Sequence, residues 1–134
     1  MKISEIMTKQ VVTVDMDTSL KMIYDIFDKK RFHHLLVEEE GELRGIISDR
    51  DVLKGLSPFL NTLAEQDRDL HTLKKRAHQI MSRKLITITQ EANSEEAASL
   101  MLKENISCLP VVSSEGRIEG IVTWKDLLKA YAKV

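Results

Sequence analysis

Two segments of the chain place apolar residues three and four positions apart. These residues are Leu20, Ile23, Ile26 and Phe27 in the first segment, and Ala97, Ala98, Met101 and Leu102 in the second. This spacing gathers the apolar side chains on one face of a helix. Ser19 and Ser94 precede the two segments, and a serine hydroxyl there can accept a hydrogen bond from an unpaired backbone N–H group of the first turn. The pattern therefore predicts two amphipathic helices, capped by Ser19 and Ser94.

Short apolar runs on both sides of each helix predict strands. Before the helices stand residues 12–14 and 86–88, and after them stand residues 33–37 with 43–48, and 108–112 with 117–123. Each later pair is joined by a turn that contains a glycine, which is typical of a hairpin. Helical segments are predicted at 3–7 and 77–81 before the first strands, and at 49–56 and 125–131 after the last ones. The predicted order is β-α-β-β-α, twice.

The chain also repeats itself in sequence. Ile6-Met7-Thr8 is matched 74 residues later by Ile80-Met81-Ser82, whereas the segment 45–51 (GIISDRD) is matched 75 residues later by 120–126 (GIVTWKD). Ser19 and Ser94 also lie 75 apart, so we expect a one-residue insertion between Val14 and Ser19 or at the equivalent place. On this alignment, Cys108 and Leu109 are the counterparts of His33 and His34. Repeats of this kind indicate two copies of one structural unit.

The repeats divide the chain into three parts. Residues 1–56 form the first repeat, 57–76 a connector, and 77–134 the second repeat. Ser57-Pro58 is expected to end the preceding helix, because proline cannot continue the helical hydrogen bonds. Within the connector and just after it, Leu70, Leu73 and Ala77 have the spacing of one more short amphipathic helix.

Composition excludes several classes of protein. The 134 residues include 43% hydrophobic residues and carry a net charge of −1. A disordered chain would be less apolar, and a nucleic-acid-binding protein would carry a basic excess. No apolar run is long enough to span a membrane, and the N-terminal residues lack the apolar region of a secretory signal. Together with a single cysteine, these features predict a cytoplasmic protein.

The sequence offers little support for catalysis. It has no P-loop and no dinucleotide-binding glycine motif, and its four histidines lack the spacing of a metal site. Cys108 stands just before an apolar strand, where a small buried side chain is the simpler interpretation than a nucleophile. We therefore expect no catalytic residues, no metal and no cofactor, and we predict that the protein is not an enzyme.

The doubled motifs resemble those of a known family. VVTV (11–14) with GIISDRD, and LITI (85–88) with GIVTWKD, together with Leu109-Pro110-Val111-Val112, are similar to the tandem CBS-domain pair, or Bateman module. The layout looks most like stand-alone bacterial CBS-pair proteins. The resemblance implies an α/β (α+β) fold in which two β-α-β-β-α repeats pack sheet to sheet with pseudo-two-fold symmetry. It also implies clefts that bind adenosine nucleotides, and assembly into a homodimer.

The residue types at the end of each doubled motif suit such a ligand. The carboxylates of Asp51 and Asp126 can accept hydrogen bonds from both ribose hydroxyls. A hydroxyl three residues earlier and a cation one residue away from each acid could contact phosphate. These four residues are Ser48 and Arg50 in the first repeat, and Thr123 and Lys125 in the second. The alternative is that the acids and hydroxyls only cap their helices.

Further candidate ligand contacts come from the resemblance. It places Thr13 and Thr87 at the cleft edges, although a threonine in an apolar strand can also satisfy its hydroxyl locally. It also suggests that each cleft combines the acid of one repeat with the threonine of the other, so that Asp51 is paired with Thr87 and Asp126 with Thr13. Of the two adjacent histidines, His34 is the better candidate for a phosphate contact; the alternative is that both are ordinary surface or edge histidines. Because the second repeat offers no equivalent charge, the two clefts need not bind equally well.

The sequence thus predicts a regulatory module that senses AMP, ADP, ATP or a related adenosyl ligand, and that signals to an effector protein. The alternative is an interaction or dimerisation module whose clefts have lost their ligand, in which exposed residues of the closing helices and connector would matter more: Leu56, Phe59, Leu127 and Tyr131. Neither nucleic acid nor a membrane is an expected partner.

Overall fold

The computed structural model describes residues 1–30 and 32–132. The helices and strands follow in this order: α1 Ile3–Ile6, β1 Thr13–Val14, α2 Leu20–Lys29, β2 His34–Glu39, β3 Glu42–Ser48, α3 Asp49–Gly55, α4 Asp67–His71, α5 Ala77–Ile80, α6 Ser94–Glu104, β4 Cys108–Val112, β5 Ile118–Thr123 and α7 Trp124–Ala132. A 3₁₀ turn, Thr72–Lys74, follows α4. The mixed α/β class is confirmed, and the first repeat has the predicted order β-α-β-β-α. In the second repeat the predicted strand 86–88 is reduced to a single bridge at Ile88.

One of the two predicted helix caps is correct. The Ser19 hydroxyl accepts a hydrogen bond from the backbone N–H of Met22 at 3.2 Å, so Ser19 caps α2. In α6 the prediction of Ser94 is wrong, because Asn93 Oδ1 accepts from the Glu96 N–H at 2.9 Å. Asparagine caps as well as serine does, and it stands one residue earlier. Ser94 is therefore the first residue inside the helix.

The one-residue insertion lies elsewhere than the sequence alignment placed it. Strand β1 pairs with β2 in parallel, with Val14 opposite Val37, and Ile88 forms the equivalent parallel bridge to Val111. Ile88 follows Val14 by 74 residues, and Val111 follows Val37 by the same number. The offset between the two repeats is therefore the same before and after the helix. The register of β4 against β5 then shifts between Val111 and Val112. The prediction of an insertion before Ser19 is wrong, since the extra residue lies in the second hairpin.

This corrected alignment also changes the counterparts of the two histidines. The Asp49 N–H donates to the backbone oxygen of His33 at 3.0 Å, and the Trp124 N–H donates to that of Ser107 at 3.1 Å. His33 therefore corresponds to Ser107, and His34 corresponds to the buried Cys108 rather than to Leu109.

The strands form two small sheets, and the chain forms two compact units. The sheets have the orders β1-β2-β3 and β4-β5, the second being antiparallel. The N unit comprises Val12–Glu39 and Arg44–Leu85, and the C unit comprises Met1–Val11, Glu40–Leu43 and Ile86–Val134. The division into 1–56, 57–76 and 77–134 stays a prediction about the sequence repeats. The compact units do not follow it, because the opening segment of each repeat belongs to the unit built mainly from the other repeat.

Backbone bridges hold these opening segments in place. In the C unit, the Thr8 N–H donates to the Ile121 oxygen at 2.8 Å, and the Ile121 N–H donates back at 2.9 Å. In the N unit, Ile46 and Ser82 exchange the same pair of bonds at 3.1 and 2.9 Å. The two short segments thus act as extra strands beside β5 and β3.

Each unit has its own apolar core. The buried core of the N unit consists of Val14, Leu20, Ile23, Leu35, Val37, Ile47, Val52, Ala77 and Met81. That of the C unit consists of Ile3, Ile88, Ala97, Met101, Leu109, Val111 and Val122. The predicted apolar faces of α2 and α6 supply residues to both cores. On α6, however, Ala98 is only half-buried and the side chain of Leu102 is 84% exposed.

The connector is organised by a buried acid. Helix α3 ends at Gly55, just before Ser57-Pro58 as expected. The predicted connector helix is divided among α4, the 3₁₀ turn and α5, and Leu70 is exposed instead of packed. Asp69 is buried, with its carboxylate accepting from the Ser57 hydroxyl at 2.6 Å and from the Gln66 N–H at 2.8 Å. These hydrogen bonds stabilise the charged form and lower the pKa of Asp69.

Among the described residues, no helix combines the length and the apolar character needed to cross a membrane.

We predict that Gly120→Ala destabilises the protein through the Thr8–Ile121 bridge. A Cβ added at Gly120 would lie 2.8 Å from the backbone oxygen of Thr8, so the opening segment would have to move. Overpacking of this kind costs about 1–3 kcal/mol of unfolding free energy. Urea unfolding measures the change, with Glu119→Ala on the same strand as the control. Equal stability of Gly120→Ala and the wild-type protein would show that the close approach does not constrain the segment.

Candidate functional site

Asp51 lies in the first turn of α3 and forms a reciprocal cap with Ser48. The Ser48 hydroxyl accepts from the Asp51 N–H at 3.1 Å, while Asp51 Oδ2 accepts from the Ser48 N–H at 2.8 Å. The capping role considered for these residues is therefore present. Within the part of the chain that the structure describes, the second carboxylate oxygen, Oδ1, accepts no hydrogen bond. The cap thus leaves one acceptor of Asp51 available.

Asp126 occupies the matching position on α7 but has more partners. Its Oδ2 accepts from the N–H and the hydroxyl of Thr123, at 2.8 and 3.2 Å. Its Oδ1 accepts from the hydroxyl of Thr8 at 3.2 Å. Thr8 was not among the residues selected from the sequence. Its position in Ile-Met-Thr, which matches that of Ser82 in Ile-Met-Ser, was the one signal that could have identified it.

A histidine pair adjoins the start of α3. The Nδ1 atom of His33 lies 2.8 Å from Asp49 Oδ2, and both side chains are more than half exposed. This hydrogen bond to His33 lowers the pKa of Asp49. His34, the residue selected from the sequence, is half-buried, and burial lowers its pKa because the imidazolium ion loses hydration. Sequence reasoning missed the pairing of His33 with Asp49.

The two candidate cations next to the acids are exposed. Arg50 and Lys125 each lie in the first turn of a closing helix, α3 or α7, and neither forms an ion pair with a described residue. The guanidinium group of Arg50 and the ammonium group of Lys125 are therefore available to bind an anion.

The two candidate threonines differ in their surroundings. Thr13 donates to Glu38 Oε1 on the neighbouring strand β2 at 3.3 Å, so its hydroxyl already has a partner, although not one that is near in sequence. Thr87 is half-buried. Thr13 belongs to the N unit with Asp51, and Thr87 to the C unit with Asp126. The expected pairing of each acid with the threonine of the other repeat stays a prediction.

An open cavity of about 330 Å³ in the N unit includes Asp51. Its other lining residues are Lys54, Gly55, Lys75, Gln79 and Ile80. Lys75 Nζ donates to the Gly55 oxygen at 2.8 Å, which fixes one wall of the cavity. The volume is at the lower end of the range for small-molecule sites. Neither lysine was selected from the sequence. Only Lys54 could have been, because it lies about one helical turn after Asp51.

The remaining candidate chemistry is structural. Cys108 is buried, and burial raises the pKa of its thiol, so the reactive thiolate is disfavoured. Among residues 1–30 and 32–132, no group of three histidine, cysteine, aspartate or glutamate side chains is placed to hold a metal ion.

The comparison with known families settles the origin of the doubled motifs. The model of the CBS domain matches residues 3–58 and again 77–133. The chain belongs to the CBS-domain family. It is therefore a tandem CBS-domain pair, as the resemblance implied.

Similar proteins agree over the whole chain. A CBS domain-containing protein of Dictyostelium discoideum is 36% identical over 134 residues, which covers 98% of this chain and 92% of the relative. Among solved structures, the CBS domain pair of protein MJ0100, in complex with 5′-methylthioadenosine and S-adenosyl-L-methionine, is 29% identical. It matches with a TM-score of 0.81 over 99% of this chain and 97% of that chain.

A second solved structure shows the same fold inside a larger protein. The cytosolic domain of the Mg²⁺ channel MgtE, in complex with ATP, is 27% identical and has a TM-score of 0.71. The match covers 92% of this CBS pair and 46% of that chain.

We predict that the stability of this CBS pair falls at acidic pH through His34. Its pKa in the folded protein is below the ordinary value of 6.5, so between these two values the unfolded chain binds more protons. The free energy of unfolding therefore rises with pH between these two values, and the contribution of His34 no longer changes above pH 6.5. Asp49 titrates lower, because its pKa is reduced from 3.8. Urea unfolding at several pH values should show a smaller pH dependence in His34→Gln than in the wild-type protein.

His71→Gln is the matched control, because His71 is exposed on α4. An unchanged pH dependence in His34→Gln would contradict the assignment to His34.

Proposed function

We propose that this CBS pair is a regulatory module that binds an adenosine nucleotide or a related adenosyl ligand. The observation that carries the proposal is the position of Asp51, which lines a cavity together with Lys54 and Lys75 and whose Oδ1 accepts no hydrogen bond from a described residue. The ligands of the similar structures support the chemical class, since 5′-methylthioadenosine, S-adenosyl-L-methionine and ATP all contain adenosine.

The ribose and the phosphates of such a ligand have matching groups on the chain. Asp51 Oδ1 can accept hydrogen bonds from ribose hydroxyls without disturbing the helix cap on Oδ2. Lys54 lines the same cavity, and the exposed Arg50 guanidinium is next to Asp51 in the chain. A guanidinium can bind phosphate through two donors, whereas a lysine acts as a point charge. Ser48, His34, Thr13, Thr87, Thr123, Lys125 and Asp126 complete the proposed set of ligand contacts.

The proposed output is a change in conformational equilibrium. A ligand that binds one arrangement of the protein more tightly shifts the population toward it, and an effector protein can read that shift. In this proposal the nucleotide is a regulatory ligand, the protein is not an enzyme and has no other cofactor, and it works in the cytoplasm.

We predict that Asp51→Asn and Asp126→Asn each weaken ribose-containing ligands. Asparagine keeps one oxygen for the helix cap but replaces the second carboxylate oxygen with a donor. Loss of a charged hydrogen bond should cost about 1–3 kcal/mol of binding free energy. Isothermal titration with AMP, ADP, ATP and S-adenosylmethionine measures the change.

Asp67→Asn is the control, because Asp67 is also a first-turn acid but lies in the connector helix α4. Equal affinity of the wild-type protein, both single variants and the double variant would contradict the ribose-binding role.

A second candidate function is supported by the exposed face of α7. Three large apolar side chains lie at helical spacing along α7 and are exposed: Trp124 (48%), Leu128 (55%) and Tyr131 (88%). No residue of α7 is buried, although Leu127 packs against the core of the C unit. Of the other residues named for an interaction module, Phe59 is exposed and Leu56 is half-buried. We propose that the apolar face of α7 binds a second copy of the chain and forms a homodimer.

We predict that Leu128→Asp with Tyr131→Asp converts a dimer into a monomer, because it places charges on the apolar face. Sedimentation velocity measures the change. Lys129→Glu is the control, because Lys129 lies on the opposite side of α7. A wild-type protein that is monomeric at all concentrations, or a dimer that survives the double substitution, would contradict the proposed interface.

A further inference from the structure

The two acids of the doubled motif differ in how many hydrogen bonds they already accept. Asp126 accepts three: two from Thr123 on Oδ2, at 2.8 and 3.2 Å, and one from the Thr8 hydroxyl on Oδ1, at 3.2 Å. Both of its oxygens therefore have a partner. A ligand hydroxyl that binds Oδ1 would share this oxygen with the Thr8 hydroxyl.

Asp51 is less occupied. It accepts one hydrogen bond, from the Ser48 N–H, and the Ser48 hydroxyl accepts from Asp51 instead of donating to its carboxylate. The counterpart of Thr8 is Ser82, which is exposed, and its hydroxyl makes no hydrogen bond to any residue that the structure describes. The difference between the two acids thus follows from residues at matching positions of the repeats.

The position of Thr8 is fixed by its backbone. Two hydrogen bonds join it to Ile121, at 2.8 and 2.9 Å, and the absence of a side chain at Gly120 permits the close approach. Threonine is also branched at Cβ, which restricts rotation about χ1. The hydroxyl is therefore held beside Asp126 at a smaller entropic cost than a serine hydroxyl would be.

We infer that Thr8 competes with the ligand for Asp126, so that Asp51 is the acid that binds ribose first. The inference rests on the proposed function and extends it to the regulation of the second site. Each carboxylate oxygen has two lone pairs, so Thr8 weakens binding at Asp126 without abolishing it. A ligand at Asp126 displaces the Thr8 hydroxyl, and this couples the second site to the opening segment Met1–Val11.

The test uses AMP titrated into variants that carry Asp51→Asn, so that the heat reports on Asp126. Adding Thr8→Val removes the competing hydroxyl while keeping the β-branched shape. We expect AMP affinity to increase about fivefold, which corresponds to the typical net contribution of one intramolecular hydrogen bond. Thr8→Ser keeps the hydroxyl and should bind AMP more weakly than Thr8→Val does. Thr89→Val, an exposed threonine of the same unit, is the control and should have no effect.

The possible failures are distinct. If the wild-type protein binds AMP and responds to Asp51→Asn, but Thr8→Val leaves the affinity unchanged or lowers it, the competition is overturned and the proposed function stands. If neither the wild-type protein nor any variant binds AMP, both are overturned. Circular dichroism and the melting temperature of Thr8→Val establish that the variant is folded.

Discussion

The structure depends on two pairs of backbone hydrogen bonds that attach the opening segment of each repeat to the body of the other. Thr8 is joined to Ile121 in the C unit, and Ser82 is joined to Ile46 in the N unit. Because of these bonds, neither repeat completes a compact unit alone. The same bonds bring the Thr8 hydroxyl to Asp126. The cohesion of the fold and the chemistry beside the C-unit acid therefore have a common origin.

Much of this fold could be predicted from the sequence, because the decisive patterns are local. Helical spacing of apolar residues identified the buried faces of α2 and α6, and the duplication showed that each element occurs twice. The position of the insertion could not be predicted, because Ser19 and Ser94 matched each other in type while Asn93 made the actual cap. The register shift after Val111 depends on strand pairing, which leaves no distinct mark in the sequence.

The candidate site was predictable to a smaller extent. Asp51 and Asp126 stand out because they end a motif that occurs twice, and the structure shows that both also cap helices. The role of Thr8 and of Lys75 could not be predicted, because each is far from its neighbouring acid in sequence and is brought to it by tertiary structure. Equivalent positions in a repeat thus acquire different hydrogen bonds, as the bond of Thr8 to Asp126 shows.

The central claim is that this CBS pair recognises the adenosine part of a small molecule. Native mass spectrometry of the purified protein tests it most directly, because this method detects a bound small molecule by its mass without prior choice of ligand. We expect an added mass that corresponds to an adenosine-containing compound, or one that appears on addition of AMP, ATP or S-adenosylmethionine. A protein that carries no such mass, and that gains none when these compounds are added in excess, would show that this CBS pair does not recognise adenosine.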